Sequence, residues 1–139
     1  MLNESLTLKN DVRQVSELNG FIKKVAEKLS IVPSLASQLR LAVEEAVVNV
    51  MEYAYPADTE GEVTIKVMSD GHCLKAVIID NGTPFDPTTI EKADTTLSAE
   101  ERPIGGLGFL LVRELMDSSN YERDDHHNIL TLIKIIDKK

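Results

Sequence analysis

A glutamate and an asparagine in the segment VEEAVVNVMEY are spaced to act together. Glu45 and Asn49 are four positions apart in a stretch with helical periodicity, so their side chains lie on nearly the same helix face, one turn apart. The carboxylate could accept a proton from a hydroxyl or water, while the amide oxygen could bind a hard cation such as Mg²⁺. A solvated helix edge has the same spacing, so the pair alone leaves both interpretations open. Glu44 is five positions from Asn49 and is expected to point elsewhere.

A second candidate site lies in the segment IIDNGTPFDP. Asp80 ends an apolar strand, where a carboxylate is unfavourable to bury unless a donor reaches it. The exocyclic amine of adenine would be such a donor. Gly82 would permit close approach of a planar ring, and Pro84 fixes the chain where it turns away. An ordinary turn at the end of a strand is the other interpretation.

A glycine cluster directly precedes an apolar, helix-like stretch. Gly105, Gly106 and Gly108 flank Leu107, and backbone N–H groups at a glycine-rich helix start can approach a phosphate closely. A flexible turn packed on a neighbouring element is equally compatible. The cluster is not a Walker A loop, since no Gly-Lys-Ser/Thr follows, and Leu111 occupies the third glycine position of a dinucleotide fingerprint. A phosphate site here must be of another type.

Composition narrows the class of protein. The 139 residues fit one domain spanning 1–139, and 42% hydrophobic with 27% charged residues is ordinary for a globular chain. A net charge of −8 argues against a nucleic-acid partner. One cysteine, Cys73, excludes an internal disulfide and a cysteine metal cage. With neither a signal peptide nor a membrane span in the sequence, we expect a soluble cytoplasmic protein.

Hydrophobic periodicity predicts strands that segregate from helices. The predicted strands cover 5–9, 62–69, 73–80, 119–124 and 128–137, and the predicted helices cover 12–29, 33–55 and 109–117. Between 81 and 108 there is no persistent period, and a loop this long in a compact domain is usually functional. His126 and His127 fall in the last hairpin turn as surface residues. The order predicts an α/β (α+β) two-layer sandwich, a mostly antiparallel mixed sheet with helices on one face.

The three motifs in this order resemble a known superfamily. Glu45-x-x-x-Asn49, Asp80-x-Gly82-x-Pro84 and the 105–108 glycines resemble the N, G1 and G2 boxes of the GHKL (Bergerat-fold) ATPases. DNGTPFDP and GGLGFLLVRELMD are most similar to the anti-sigma-factor serine/threonine protein kinases. The resemblance covers nearly the whole chain and implies the Bergerat ATP-binding fold, with ATP and Mg²⁺ as cofactors.

The resemblance implies a role for each matching residue. Glu45 would be the general base, Asn49 the Mg²⁺ ligand and Asp80 the acceptor for the adenine amino group. Thr131 resembles the last-strand threonine that holds adenine through water. The segment from about 87 to 108 would be the ATP lid, with Arg113 a further candidate charge partner for the triphosphate. The implied nucleotide-binding set is Asn49, Asp80, Gly82, Pro84, Arg102, Gly105, Gly106, Leu107, Gly108 and Thr131.

The implied activity is phosphorylation of a serine or threonine on an antagonist protein of the anti-anti-sigma class. Such kinases act as homodimers that bind and silence a sigma factor, and an acidic surface is compatible with that partner. A nucleotide-gated module that sequesters a partner without kinase activity is the alternative. The catalytic part of a histidine kinase fits less well, because no helix with a phosphoacceptor histidine precedes the domain.

The sequence departs from the family pattern in three places. Tyr53 stands where a histidine is common, and Val50 replaces a frequent alanine. Pro103 and Ile104 precede the glycines, where an arginine is expected. These departures bear on the kinase rate and on lid contacts more than on nucleotide binding.

Overall fold

A five-stranded antiparallel sheet forms one layer of the fold. The computed structural model describes residues 2–55, 60–89 and 106–137. Within these ranges the strand order is β1-β2-β3-β5-β4, and all four pairings are antiparallel, in line with the mostly antiparallel sheet predicted. The strands are β1 (Leu2–Lys9), β2 (Glu62–Ser69), β3 (Cys73–Asp80), β4 (Ser118–Arg123) and β5 (Asn128–Ile135).

Three described helices form the second layer, α1 (Val15–Lys28), α2 (Pro33–Tyr53) and α3 (Gly106–Leu115). A 3₁₀ turn at 12–14 leads into α1, and the Asp11 side chain accepts from the Arg13 N–H at its start. The fixed φ of Pro33 suits the first position of α2, where no intrahelical N–H bond is lost. Buried residues of α1 recur at steps of three and four, which places one face on the core. They are Leu18, Ile22, Val25 and Ala26.

Alternation along the central strands fixes which sheet face meets the helices. Every second residue of β2, β3 and β5 is buried, because successive side chains of a strand point to opposite faces. This face carries most of the sheet's core residues, and helices cover it, so the predicted two-layer sandwich is confirmed. The fully buried apolar residues of these strands are Val63, Ile65, Val67, Leu74, Ala76, Ile78, Leu130 and Leu132.

The element boundaries differ from the sequence-based expectation mainly at two ends. β1 begins at Leu2 rather than at residue 5, since its pairing with β2 continues through Leu2 and Ser69. α3 begins at Gly106 rather than at residue 109. Glycine lowers helix propensity without forbidding helical dihedrals, so the 106–108 segment forms the first turn. Among the helices in the described ranges, none is long and apolar enough to cross a membrane.

Candidate functional site

Asp80 is a buried carboxylate whose Oδ1 accepts two hydrogen bonds and whose Oδ2 accepts none from the described residues. It ends β3 at 2% exposure, and its Oδ1 accepts from the Gly82 N–H at 2.9 Å and from Asn128 Nδ2 at 2.8 Å. Oδ2 is buried and has no hydrogen-bond partner among the described residues. Burial raises the pKa of Asp80 above its ordinary value, and the two donors oppose that shift only in part. A donor from a ligand would fill the remaining acceptor.

The turn after Asp80 is held against the end of α2. A Cβ on Gly82 would lie 2.3 Å from the Ala54 carbonyl oxygen, so this position requires glycine. The same oxygen accepts from the Thr83 N–H at 2.7 Å and from Thr83 Oγ1 at 3.0 Å. On the other side, the Arg123 guanidinium donates to the Gly82 carbonyl at 2.9 Å. Pro84 follows on the exposed side of this turn.

Two tyrosines at the end of α2 add to this attachment. The buried Tyr55 hydroxyl accepts from the Asn81 N–H at 3.1 Å. It also lies 2.7 Å from the Glu62 carbonyl and 2.6 Å from Asn81 Oδ1, two acceptors to which it can donate. Tyr53 stacks on Phe85 with ring centroids 5.4 Å apart. The residue that departs from the family histidine therefore packs on the loop that follows Asp80.

The candidate residues of α2 differ in burial. Asn49 is 2% exposed, and its Nδ2 has no partner within the described part of the chain. Glu45 is partly exposed, and its pKa is raised first by burial and then by the charges of Glu44 and Glu52. Glu44 instead accepts from the Arg40 guanidinium at 2.6 Å, as expected for a residue directed elsewhere.

These residues suit a site for a nucleotide and for a cation that the phosphates of the nucleotide would also bind. Asn49 precedes Ala54 by five residues, about 7–8 Å along the helix axis, and Ala54 is bonded to the turn after Asp80. No group of three or more His, Cys, Asp or Glu among the described residues could hold a metal. Mg²⁺, however, commonly takes one or two protein oxygens and completes its shell with phosphates and water. An amide such as Asn49 together with a triphosphate fits that pattern.

Thr131 and Asp80 lie on opposite faces of the sheet. Thr131 pairs with Val77, whereas Asp80 pairs with Asn128. Because strand neighbours alternate faces, Asn128 shares the helix-covered face with Asp80 and Thr131 points away. This register does not bring Thr131 beside Asp80, and its role at adenine stays a prediction. The alternation of apolar residues in β5 could have identified Asn128. The buried face that includes Leu130 also includes Asn128, two residues earlier.

The described ends of the predicted lid are helical. Pro87–Thr89 form a 3₁₀ turn, and Gly106, Leu107 and Gly108 form the first turn of α3. Arg102 and Gly105 lie outside the described residues. Arg113 donates to the Thr88 carbonyl and lies over the Phe109 ring, 5.2 Å from its centroid. In this arrangement Arg113 contacts the beginning of the predicted lid.

A separate groove of about 660 Å³ lies between α1 and α2. Its wall includes Ile22, Ala26, Ile31, Pro33 and Ala36. It contains none of the predicted site residues. Because its lining offers neither the open carboxylate of Asp80 nor the amide of Asn49, the groove is not a candidate for the nucleotide.

Comparison with known proteins decides the family. Residues 8–134 match the model of the family described as the histidine kinase-like ATPase domain. The chain belongs to this family. The serine-protein kinase RsbW of Listeria monocytogenes is 33% identical over 105 residues, which is 73% of this chain and 66% of the relative. RsbW of Bacillus cereus is 28% identical over 110 residues, 76% of this chain and 68% of the relative. The match thus spans just under two thirds of the Listeria protein.

A solved structure supports the same fold. The RsbU and RsbW domains of a Mycobacterium tuberculosis protein superpose with a TM-score of 0.71, covering 100% of this chain and 34% of that chain. At 14% identity, this similarity establishes the ATPase-type architecture. The GHKL resemblance seen in the sequence is confirmed by the family match and by the similarity to RsbW.

Proposed function

We propose that this chain is an ATP-dependent serine/threonine protein kinase that acts as an anti-sigma factor. It would phosphorylate an antagonist protein of the anti-anti-sigma class and sequester a sigma factor. The observation that carries the proposal is the buried, unfilled Oδ2 of Asp80, in an ATPase-family domain. Similarity to the serine-protein kinases named RsbW supports the reaction type.

Nucleotide binding follows from the acceptor and from the glycines. Oδ2 of Asp80 would accept from the adenine 6-amino group, and Gly82, whose missing side chain lets the turn pack on the Ala54 carbonyl, would hold this turn beside the base. The N-terminus of α3, which begins at Gly106, would direct backbone N–H groups and the positive end of the helix dipole towards phosphate. Further proposed contacts are Pro84, Arg102, Gly105, Leu107 and Gly108.

The chemical step would depend on positioning and on one base. Asn49 would hold Mg²⁺, which when bound neutralises charge on the phosphates. Glu45 would accept the proton from the serine or threonine hydroxyl that attacks the terminal phosphate. Burial and two neighbouring carboxylates raise the pKa of Glu45, which brings it closer to the working pH and makes it a better proton acceptor.

The proposed partners follow from family and charge. A single ATP-binding domain over 1–139 would form a homodimer, and a net charge of −8 would complement basic surfaces of a sigma factor. Binding to these two proteins would not require this chain to bind nucleic acid.

Phosphotransfer tests the proposal directly. The full chain is incubated with γ-labelled ATP, Mg²⁺ and a purified anti-anti-sigma protein from the same genome, and label on its serine or threonine is measured. Glu45→Gln is expected to lower kcat by about 10²–10⁴-fold while the Kd for ATP stays unchanged. The matched control is Glu44→Gln, an identical change at the adjacent residue, which is paired with Arg40.

Two results would contradict the kinase. One is transfer by Glu45→Gln at the rate of Glu44→Gln. The other is a folded, ATP-bound protein that transfers no label yet binds its partner more tightly with ATP. The second outcome would establish the nucleotide-gated binding module instead.

A further inference from the structure

The Asn128 side chain is buried and has all of its hydrogen-bonding groups engaged. At 3% exposure, its Nδ2 donates to Asp80 Oδ1 and to the Thr83 carbonyl, each at 2.8 Å. Its Oδ1 accepts from the Phe85 N–H at 3.2 Å and from the Tyr121 hydroxyl at 2.5 Å. The amide has no spare donor with which to reach a ligand, so Asn128 acts through Asp80.

The neighbours of Asn128 allow one orientation of its amide. The Phe85 N–H can only donate, whereas the Thr83 carbonyl and the ionised Asp80 can only accept. A flipped amide would place Oδ1 against these two acceptors and Nδ2 against the Phe85 donor. The Tyr121 hydroxyl, which can donate, strengthens the observed orientation. Asp80 Oδ1 therefore always receives a donor, and Oδ2 is left as the one unfilled acceptor of the carboxylate.

We propose that Asn128, held by Tyr121, is a positioning residue that makes Asp80 a pure acceptor and so selects 6-aminopurine over 6-oxopurine nucleotides. The inference rests on the proposed adenine contact of Asp80. A 6-amino group donates to an ionised carboxylate, whereas a 6-oxo group requires a donor. An Asp80 that kept a proton would offer that donor and lose the discrimination.

Charges around Asp80 bear on the same choice. Burial favours the protonated acid, while the bonds from Asn128 and Gly82 and the charges of Arg123 and His127 favour the ionised form. Within the described ranges, the Tyr55 hydroxyl is a further titratable group that interacts with Asp80. Removing the Asn128 donor would shift this balance towards protonation. The ATP affinity would then depend on pH at higher pH values than in the unaltered chain.

Asn128→Asp tests the proposal because it exchanges the donor for an acceptor of the same shape. Affinities of the full chain for ATP and for inosine triphosphate, which carries a 6-oxo group, are measured by calorimetry between pH 6 and 9. ATP affinity is expected to fall by about 30-fold at neutral pH. The preference for ATP over inosine triphosphate should fall by about tenfold or more, and ATP affinity should recover as the pH rises.

Asn120→Asp is the matched control, since Asn120 is an exposed asparagine on the adjacent strand β4. It should leave both affinities unchanged. Tyr121→Phe should move the base preference in the same direction as Asn128→Asp, by about threefold. If Asn128→Asp fails to fold, Asn128→Ala replaces it, with the same expected loss of preference and the same dependence on pH.

The results separate two failures. A folded Asn128 variant with the base preference and pH profile of the unaltered chain would overturn the inference. An unaltered chain that binds neither nucleotide, or that binds ATP equally well after Asp80→Asn, would overturn the adenine contact, and the inference with it.

Discussion

Each end of β3 has an aspartate that accepts two hydrogen bonds through one oxygen, but the pKa values of the two carboxyls are shifted in opposite directions. Asp70, just before the strand, accepts through Oδ1 from the N–H groups of His72 and Cys73 at 2.8 and 2.9 Å. Asp80, at the far end, also accepts two donors through one oxygen. Backbone hydrogen bonds hold the pKa of exposed Asp70 below its ordinary value, whereas burial raises the pKa of Asp80.

The difference lies in where the donors come from and in what surrounds the second oxygen. The donors to Asp70 are two and three residues away, and water reaches the rest of its carboxylate. One donor to Asp80 is 48 residues away, and its second oxygen meets no partner among the described residues. The Asp70 turn is complete without a ligand, while the Asp80 turn has a buried acceptor that a ligand would satisfy.

The largest expected difference between the two ends is in nucleotide affinity. Asp80→Asn replaces the unfilled acceptor by a donor that would face the adenine amino group at the proposed site, so the Kd for ATP should rise by about 100-fold or more. Asp70→Asn should leave it within about twofold of the unaltered value. Calorimetric titration with ATP and Mg²⁺ measures both. Equal ATP affinities for the two variants would contradict the proposal that only the Asp80 end of β3 binds the nucleotide.

Glycine substitutions should destabilise the two ends for different reasons. Gly82→Ala would force a Cβ onto the Ala54 carbonyl, so we expect a loss of about 3 kcal/mol in unfolding free energy, together with weaker ATP binding. Gly71 has φ of +93° and open space around it. Gly71→Ala should lose about 1–2 kcal/mol from backbone strain, with ATP binding unchanged. Urea denaturation gives the energies, and a tolerated Gly82→Ala would contradict the close approach.

The pH dependence of stability should have opposite signs at the two ends. A raised pKa means that the stability contributed by Asp80 is fully present below its unfolded pKa and lost as pH rises through the folded pKa. Asp80→Asn escapes this loss, so its stability relative to the unaltered chain should increase as the pH rises above the unfolded pKa of about 4 and through the raised folded pKa.

At Asp70 the pH dependence of stability has the opposite sign. Its lowered pKa contributes stability that is present above the unfolded pKa and lost as pH falls through the folded pKa. Asp70→Asn should therefore be the less stable protein at neutral pH, and the difference should shrink in acid. Urea denaturation at several pH values tests both variants, and parallel curves for the two would contradict the assigned shifts.

The smallest expected effects come from two hydroxyls that support the turns. Tyr55→Phe removes the hydroxyl shared by Asn81 and Glu62, and Ser69→Ala removes the one that accepts from Gly71 and donates to Cys73. Each should lower the unfolding free energy by about 1 kcal/mol. Only Tyr55→Phe should also weaken ATP binding, by a few-fold. The thermal midpoint with and without ATP distinguishes the two.

Much of the fold was predictable because periodicity is a local property of the chain. The alternation in EVTIKVMS and CLKAVIID placed β2 and β3 at the bounds found in the structure. The start of α3 at Gly106 was missed, since low helix propensity concealed a helical turn. The spacing of Glu45 and Asn49, together with Asp80 after an apolar strand, identified the candidate site. Their roles remain predictions.

The remainder of the site depends on register, which sequence spacing does not supply. The pairing of Asp80 with Asn128 requires β3 and β5 to be neighbours in the sheet, although helix α3 and strand β4 lie between them in the chain. Without that register, Thr131 was the more family-like choice. The contacts of Tyr121 and Arg123 with this end of the sheet likewise arise only from the folded topology.

The long separation between Asp80 and Asn128 also determines when the site can form. Pairing β3 with β5 closes a loop of nearly 50 residues, and such non-local pairings form slowly compared with local turns. The Asp70 turn can form as soon as β2 and β3 meet, whereas the Asp80 acceptor is fixed only after β5 has docked. A ribosome-bound chain would therefore acquire its proposed adenine-binding end last, and nucleotide binding there would report that the β4–β5 hairpin is in place.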